Sequence, residues 1–390
     1  MTRQQRNHID LATLIAVLTL MVFSLGVVYS ASATWAMQKF GESERLLNSH
    51  AVKILIGISA LFLGATLDYK KYKKFTKPAL ILSVILLLIT LVLGGETKGA
   101  VRWLRFGGLG LQPSEFAKFA LLFHLCTLIA TKREFIRDFK RGFLPMVIWI
   151  GAVSMLVLLQ PNFSTGAMIV LISMVMLFIS RARFNHLFFT GVSMVPLLLL
   201  YMISAPYRMA RIQSFLDGNA EAGDVNYQLW QGIIGFGSGG LLGLGPGESK
   251  QRDLFLPESY GDFVFSIVGE EYGFLGTMFF LALFLLIMLR GFKIAKYARD
   301  EYGRLLGIGI TSTITLYALV NAGVTLGLLP TTGLPMPFVS YGGSSLVFSC
   351  FAIGVLLNIS AQTDLHPRIT RLPDGVMPAE SLQERGAKAY

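Results

Sequence analysis

Long apolar runs separated by short polar connections dominate the chain. They predict membrane-spanning helices over residues 11–30, 51–67, 78–93, 113–130, 143–159, 165–180, 187–204, 263–289, 305–328 and 344–359. Several runs reach the roughly 20 residues that a helix needs to cross the hydrocarbon core. The expected fold is therefore an all-α polytopic membrane protein of about ten transmembrane helices, with a long outer loop between the seventh and the eighth. Residues 1–360 form a single transmembrane domain whose large loop covers 205–262, and residues 361–390 form a short polar tail. No strict internal repeat is visible.

Composition sharpens this picture. Hydrophobic residues make up 53% of the 390-residue chain and charged residues only 15%, well below the roughly one quarter usual in soluble domains. The net charge of +11 could point to nucleic acid, but its distribution argues otherwise. Basic residues crowd one set of connections: Lys70 to Lys77, Lys132 to Arg141, Arg181 and Arg183, Arg290 to Arg304, and the tail. The alternate connections hold far fewer. This is the asymmetry that the positive-inside rule expects, with both termini cytoplasmic and contact with anionic lipid as a secondary consequence. Nucleic acid is not expected as a partner. Arg3 and Arg6, an apolar run and then Ala31-Ser32-Ala33 imitate a secretory signal, but the run is long and its loss would spoil the even count of spans. Cys126 and Cys350 lie inside apolar runs with no CxxC or histidine nearby, and are expected to be small buried hydrophobes.

Candidate chemistry concentrates in the outer connections. The stretch from Phe236 to Gly273 carries a glycine-dense loop with Lys250 and Arg252, then an apolar segment containing Asp262, Glu270 and Glu271. Carboxylates at the edge of a span are costly to keep and mark functional candidates. Counted from a helix start near Asp262, Glu270 falls about 80° around the axis and Glu271 about 180°, which makes Glu270 the expected companion of Asp262. Gly235 to Gly240 formally matches GxGxxG, but no strand precedes it and the dinucleotide reading fails. The glycines are expected to let the backbone turn tightly and approach a ligand.

Other polar groups flank this centre. Arg208 and Arg211, three apart, would if helical either aim at one anionic group or form a solvated amphipathic edge. Tyr227, Gln228 and Gln231 also show helical spacing. Pro113 suits a first helical position, which places Glu115 and Lys118 on one face of the fourth span, as an ion pair or as the wall of a cavity. Prolines 330, 335 and 337 exclude regular helix before Ser344, whose helix start either offers N–H groups to an anion or is a simple turn and cap. No metal-ligand pattern is apparent, although a divalent cation, Mg or Mn, could share the electrostatic work.

In this order, the motifs YSAS at 29–32, RWLRFGGLGLQPSEFAK at 102–118, LLQP at 158–161, YRMARIQSFLD at 207–217, GSGGLLGLGPGESKQRDLFLPES at 237–259, DFVFSIVGEEYG at 262–273 and GLPMPFVSYGGSS at 333–345 resemble the FtsW/RodA/SpoVE (SEDS) family of cell-wall glycosyltransferases. The wording is most like the division-type FtsW branch. The resemblance implies polymerisation of lipid II on the outer membrane face, beside a class B penicillin-binding transpeptidase and other divisome membrane proteins. It implies that Asp262 is the essential carboxylate. This chain departs from the family pattern at Tyr260-Gly261, where His-Thr is usual, and at Asn162 and Ser164, where Asp and Gly are usual.

On that reading Asp262 acts as general base and the loop cations stabilise a departing lipid diphosphate. Arg208, Arg211, Lys250, Arg252, Glu115, Lys118, Gln231 and Ser344 are the expected substrate-binding residues. The rivals are a lipid II flippase, for which the intramembrane Glu115–Lys118 pair would suit, and a non-enzymatic scaffold.

Overall fold

The computed structural model describes residues 8–97, 100–106, 109–203, 209, 210, 215, 227–252, 256, 259–363 and 365. The helices are α1 Leu11–Phe40, α2 Arg45–Thr66, α3 Tyr69–Leu93, α4 Pro113–Thr131, α5 Leu144–Leu159, α6 Phe163–Ile179, α7 Phe184–Ile203, α8 Tyr227–Gly239, α9 Val264–Lys296, α10 Glu301–Thr325 and α11 Gly343–Ser360. A π-helical turn, Phe139–Phe143, leads into α5. Each expected span overlaps one of these helices. Among the described residues, nine helical stretches are long and apolar enough to cross a membrane, while α6 is shorter at 17 residues. The chain is thus a multi-pass helical membrane protein.

Two ends of the bundle can be told apart by their caps. Asp10 accepts from the Thr13 N–H (2.9 Å), Asp68 from Lys70 (3.0 Å), Asp138 from Arg141 (2.9 Å) and Asp300 from Gly303 (2.6 Å). Each satisfies an otherwise orphaned N–H at a helix start. These starts lie together with the far end of α11, because Ser360 Oγ accepts from the Asp10 N–H (3.0 Å) and Asn358 Oδ1 from the Tyr69 N–H (2.9 Å). The Tyr69 hydroxyl reaches Asp300 at 3.1 Å, and buried Asp10 pairs with Arg290 of α9. Helix packing between these ends uses small residues: a Cβ on Gly354 would overlap the Leu61 carbonyl oxygen, so α2 and α11 meet backbone to backbone.

The structure departs from the expected pattern in several places. The connection after α3 is not irregular: β1 Gly95–Thr97, β2 Ala100–Phe106 and β3 Leu109–Leu111 form an antiparallel sheet in that order. β1 and β3, at three residues each, carry too little alternation to be seen in a sequence and only β2 reaches seven, so the all-α description needs this small addition. Ala31-Ser32-Ala33 lies within α1, ten residues longer than the expected span, and Ala31 and Ser32 are buried. Cys126 and Cys350 are both buried, as expected.

The largest departure is in α9. Gly273 adopts φ 63°, ψ −161°, which breaks the helix between Tyr272 and Phe274. A break of this kind strips hydrogen bonds from groups at membrane depth, where each unmet group costs several kcal/mol. The turn after α8 supplies all four replacements. Leu244 N–H donates to the Glu270 carbonyl (2.9 Å) and Gly245 N–H to that of Glu271 (3.0 Å). Phe274 N–H in turn donates to the Gly240 carbonyl (2.9 Å) and Leu275 N–H to that of Leu241 (3.2 Å). Such close pairing leaves no room for side chains: a Cβ on Gly239 would overlap the Gly269 carbonyl oxygen, and one on Gly243 that of Glu271. Most of the glycine run therefore serves a backbone in the same chain, not a ligand.

Candidate functional site

At the opposite end from the aspartate caps, Asp262 stands just before the half-helix 264–272 and is half-buried. Its main-chain carbonyl accepts from Asn321 Nδ2 of α10 (2.8 Å), which also donates to the Leu334 carbonyl (2.7 Å). One buried amide thus clamps the Asp262 backbone to the segment between α10 and α11. Gly333 of that segment, at φ 66°, comes so close that a Cβ there would sit 3.2 Å from Asp262 Oδ2. Ser164 Oγ, at the start of α6, donates to the Thr332 carbonyl (2.6 Å) and braces the same segment from its other side. Phe338 takes a left-handed φ of 64° with its ring buried, a conformation that packing must impose.

An aromatic wall adjoins the carboxylate. Tyr341 N–H donates to the Tyr260 carbonyl (2.9 Å), and the two rings meet edge to face at 5.7 Å. Trp35 packs on Tyr260 at 5.4 Å, and Lys53 Nζ lies 3.4 Å from the centroid of the Tyr341 ring. Tyr260 therefore fills the place of the family's usual histidine with a ring that belongs to this wall. Asn162, the other departure, is buried, and no partner for its Nδ2 is found among the described residues.

Glu115 and Lys118 form a closed ion pair (2.7 Å), each side chain at most 4% exposed, with Lys118 Nζ also 3.9 Å from the Tyr317 ring centroid. Tyr317 precedes Asn321 by one helical turn, so the pair lies about 6 Å deeper than the Asn321 clamp along α10. The structure thus sets the pair beneath the Asp262 region.

Glu270 is not the companion of Asp262. Its carboxylate accepts from Ser249 Oγ, from the N–H groups of Lys250 (3.1 Å) and Gln251 (3.3 Å), and from Ser238 Oγ (3.4 Å). Ser30 Oγ donates to Glu271, and Arg252 Nη1 to Ser30 Oγ (3.2 Å). These carboxylates lock the glycine loop to the broken helix. That positions Lys250 with its side chain exposed, and Arg252 beside Glu271 about two turns inward from Asp262. Glu270→Ala would leave three loop donors without their acceptor, at about 1–3 kcal/mol each. Hydrogen exchange across residues 240–252 should rise sharply in that variant and much less in Glu270→Gln. Unchanged protection in the alanine variant would refute the lock.

Ser344 Oγ accepts from the Gln112 N–H (2.9 Å) and donates to the Gly110 carbonyl (3.1 Å), so its side chain ties the small sheet to α11. Gln231 is half-buried on α8. Arg208 and Arg211 lie outside the described residues. Among the described residues no three His, Cys, Asp or Glu side chains converge, so no multi-ligand cage for a divalent cation accompanies Asp262. Asn321, Gly333 and Lys53 were not singled out in the sequence, although Lys53 and Asn321 carried a signal as polar residues inside apolar spans.

The family model for the FtsW/RodA/SpoVE cell cycle proteins matches residues 11–365. A probable peptidoglycan glycosyltransferase FtsW of Trichlorobacter lovleyi is 37% identical over 360 residues, covering 92% of this chain and 94% of that one. Stage V sporulation protein E of Bacillus subtilis is 37% identical over 353 residues, 90% of this chain and 96% of its own. A solved structure described as "Structural coordination of polymerization and crosslinking by a peptidoglycan synthase complex" superposes with a TM-score of 0.72 at 26% identity, covering 90% of this chain and 97% of that one. The rod shape determining protein RodA of Thermus thermophilus does so at 0.67 and 26%, covering 90% and 96%. Matched over residues 11–365 and 37% identical to relatives across nine-tenths of its length, the chain belongs to the FtsW/RodA/SpoVE family.

Proposed function

We propose that this protein is a peptidoglycan glycosyltransferase that polymerises lipid II into β-1,4 glycan strands for septal wall synthesis. It works at the outer face of the cytoplasmic membrane, with both termini cytoplasmic, beside a class B penicillin-binding transpeptidase and other divisome membrane proteins. Asp262 is the general base: it takes the proton from the 4-hydroxyl of the acceptor sugar as that oxygen attacks the anomeric carbon of the growing chain. The bond to the lipid diphosphate breaks on the far side, and the α-linked donor inverts to a β linkage. Lys53 and Lys250 supply positive charge toward the departing diphosphate, as Arg208 and Arg211 would. Preorganised charge of this kind acts where negative charge develops.

One observation carries this reading: a carboxylate at the mouth of the bundle whose backbone is fixed by Asn321 and whose Oδ2 is approached by Gly333. A flippase would need a polar path through the bilayer, and the closed, buried Glu115–Lys118 pair does not favour one. The test is purified protein, with and without its transpeptidase partner, given labelled lipid II and run on a glycan gel. Strands should form; lipid II that moves across vesicles but never lengthens would overturn the proposal in favour of a flippase.

A further inference from the structure

The end of the bundle that carries the aspartate caps holds a feature that catalysis does not use. Two adjoining cavities open there, of about 390 and 440 Å³. Arg137 and Arg181 line both; Arg183 completes the first and Arg133 and Arg304 the second. Against these five arginines stand Glu134 and Glu301, and Glu301 is already paired with Arg304 at 2.5 Å. Asp138 is the acidic neighbour of Arg183; the Arg141 N–H that it accepts holds its carboxyl below the usual range. Among the described residues no ion pair engages Arg137, Arg181 or Arg183. Arg181 also takes a left-handed φ of 64°, a conformation that costs a non-glycine residue about 1–2 kcal/mol.

The apolar side of the feature is equally specific. Phe184 and Phe188, stacked at 6.3 Å, and Phe189 begin α7 directly after the arginines, with exposures of 67%, 54% and 67%. Val192 and Val195 continue the stripe, both about half exposed. Little of the bundle covers α7, which is held near its start by His186 between Phe139 and Phe143 and near its end by the Tyr201 hydroxyl on the Leu158 carbonyl (2.7 Å). A guanidinium cluster that opens onto a bare aromatic stripe matches a molecule with a phosphate at one end and acyl chains at the other. Arginine forks bind phosphate oxygens in pairs, and basic pockets between spans bind anionic head groups.

We infer that Arg137, Arg181 and Arg183 form a binding site for the phosphodiester head group of an anionic phospholipid whose acyl chains lie along Phe184, Phe188 and Phe189 of α7. On the orientation proposed above, this is a lipid of the cytoplasmic leaflet, and the inference does not depend on the catalytic reading. Bound lipid would cover the exposed stripe and fasten α7 to the bundle.

The test uses delipidated full-length protein in neutral detergent and native mass spectrometry with phosphatidylglycerol or phosphatidylethanolamine. Wild type should retain phosphatidylglycerol roughly tenfold better than phosphatidylethanolamine, a preference that R137Q/R181G/R183Q should lose. Glycine at 181 suits the left-handed backbone, so R181G alone should fold at least as well as wild type and still lose part of the preference. K70Q/K71Q/K74Q removes the same charge from the exposed start of α3 and should keep it. Equal retention by wild type and the arginine triple variant would overturn the site, as would an equal loss in the lysine control. Displacement of the lipid by inorganic phosphate at tens of millimolar would overturn the lipid assignment and leave a free-phosphate site.

Discussion

Asp262→Asn should insert, fold and bind its partner as wild type does, yet polymerise lipid II about 10²–10⁴-fold more slowly, the usual contribution of a positioned general base. The fold should survive because the Asn321 clamp holds the Asp262 carbonyl, which every residue carries. The amide is also nearly the size of the carboxyl, so the close approach of Gly333 is kept. What the amide cannot do is accept a proton. The measurement is the initial rate of strand formation at saturating lipid II, alongside the elution profile and thermal midpoint of both proteins. A variant that is folded and retains more than about a tenth of the rate would remove Asp262 from the base's role, since a general base is worth at least about a hundredfold.

Why Asp262 stands out in the sequence while its surroundings do not is a matter of range. A carboxylate at the start of an apolar run is a local anomaly, visible without any partner. The spans, the Glu115–Lys118 pair and the helical segment at Tyr227 are likewise local: each is set by spacing along one helix. Asn321, Gly333 and Lys53 act across 59, 71 and 288 residues of sequence, on Asp262, Asp262 and Tyr341 respectively. Nothing in a single polar residue within a span says which loop it will meet. Glu270 shows the opposite failure. Its angle around an ideal helix suggested a companion for Asp262, but the loop that folds back from α8 reached that carboxylate first. The helical wheel gave the direction of the side chain without what waited there.

The glycine loop also explains how a broken helix can sit at the heart of a membrane protein. The Gly273 break exposes two carbonyls and two N–H groups that an unbroken helix would pair internally, and lipid offers no substitute for those bonds. The loop pairs with all four through its main chain alone, so what matters there is the absence of side chains. The same contact fixes where the helix resumes, and through Glu270 where Lys250 stands relative to the bundle.

That account makes Gly243, like Gly273 opposite it, a position that tolerates no side chain. Gly243→Ala faces two costs at once. Its φ of 85° is left-handed, which costs a side chain about 1–2 kcal/mol, and its Cβ would overlap the Glu271 carbonyl, which is main chain and cannot swing aside. Overpacking of this kind adds about 1–3 kcal/mol. Relief requires the loop to lift from the half-helix, which would strand the Glu270 and Glu271 carbonyls together. The expected result is a thermal midpoint lower by about 2–6 °C, since each kcal/mol moves a protein of this size by roughly 1 °C. Hydrogen exchange should rise at Leu244, Gly245, Phe274 and Leu275 before it rises elsewhere. Gly237→Ala is the control: nothing lies within 4 Å of its Cβ, it is helical, and alanine there should be neutral or stabilising by about 1 kcal/mol. If the two alanine variants melted together, the pairing of the loop with the broken helix would not be what supports this end of the bundle.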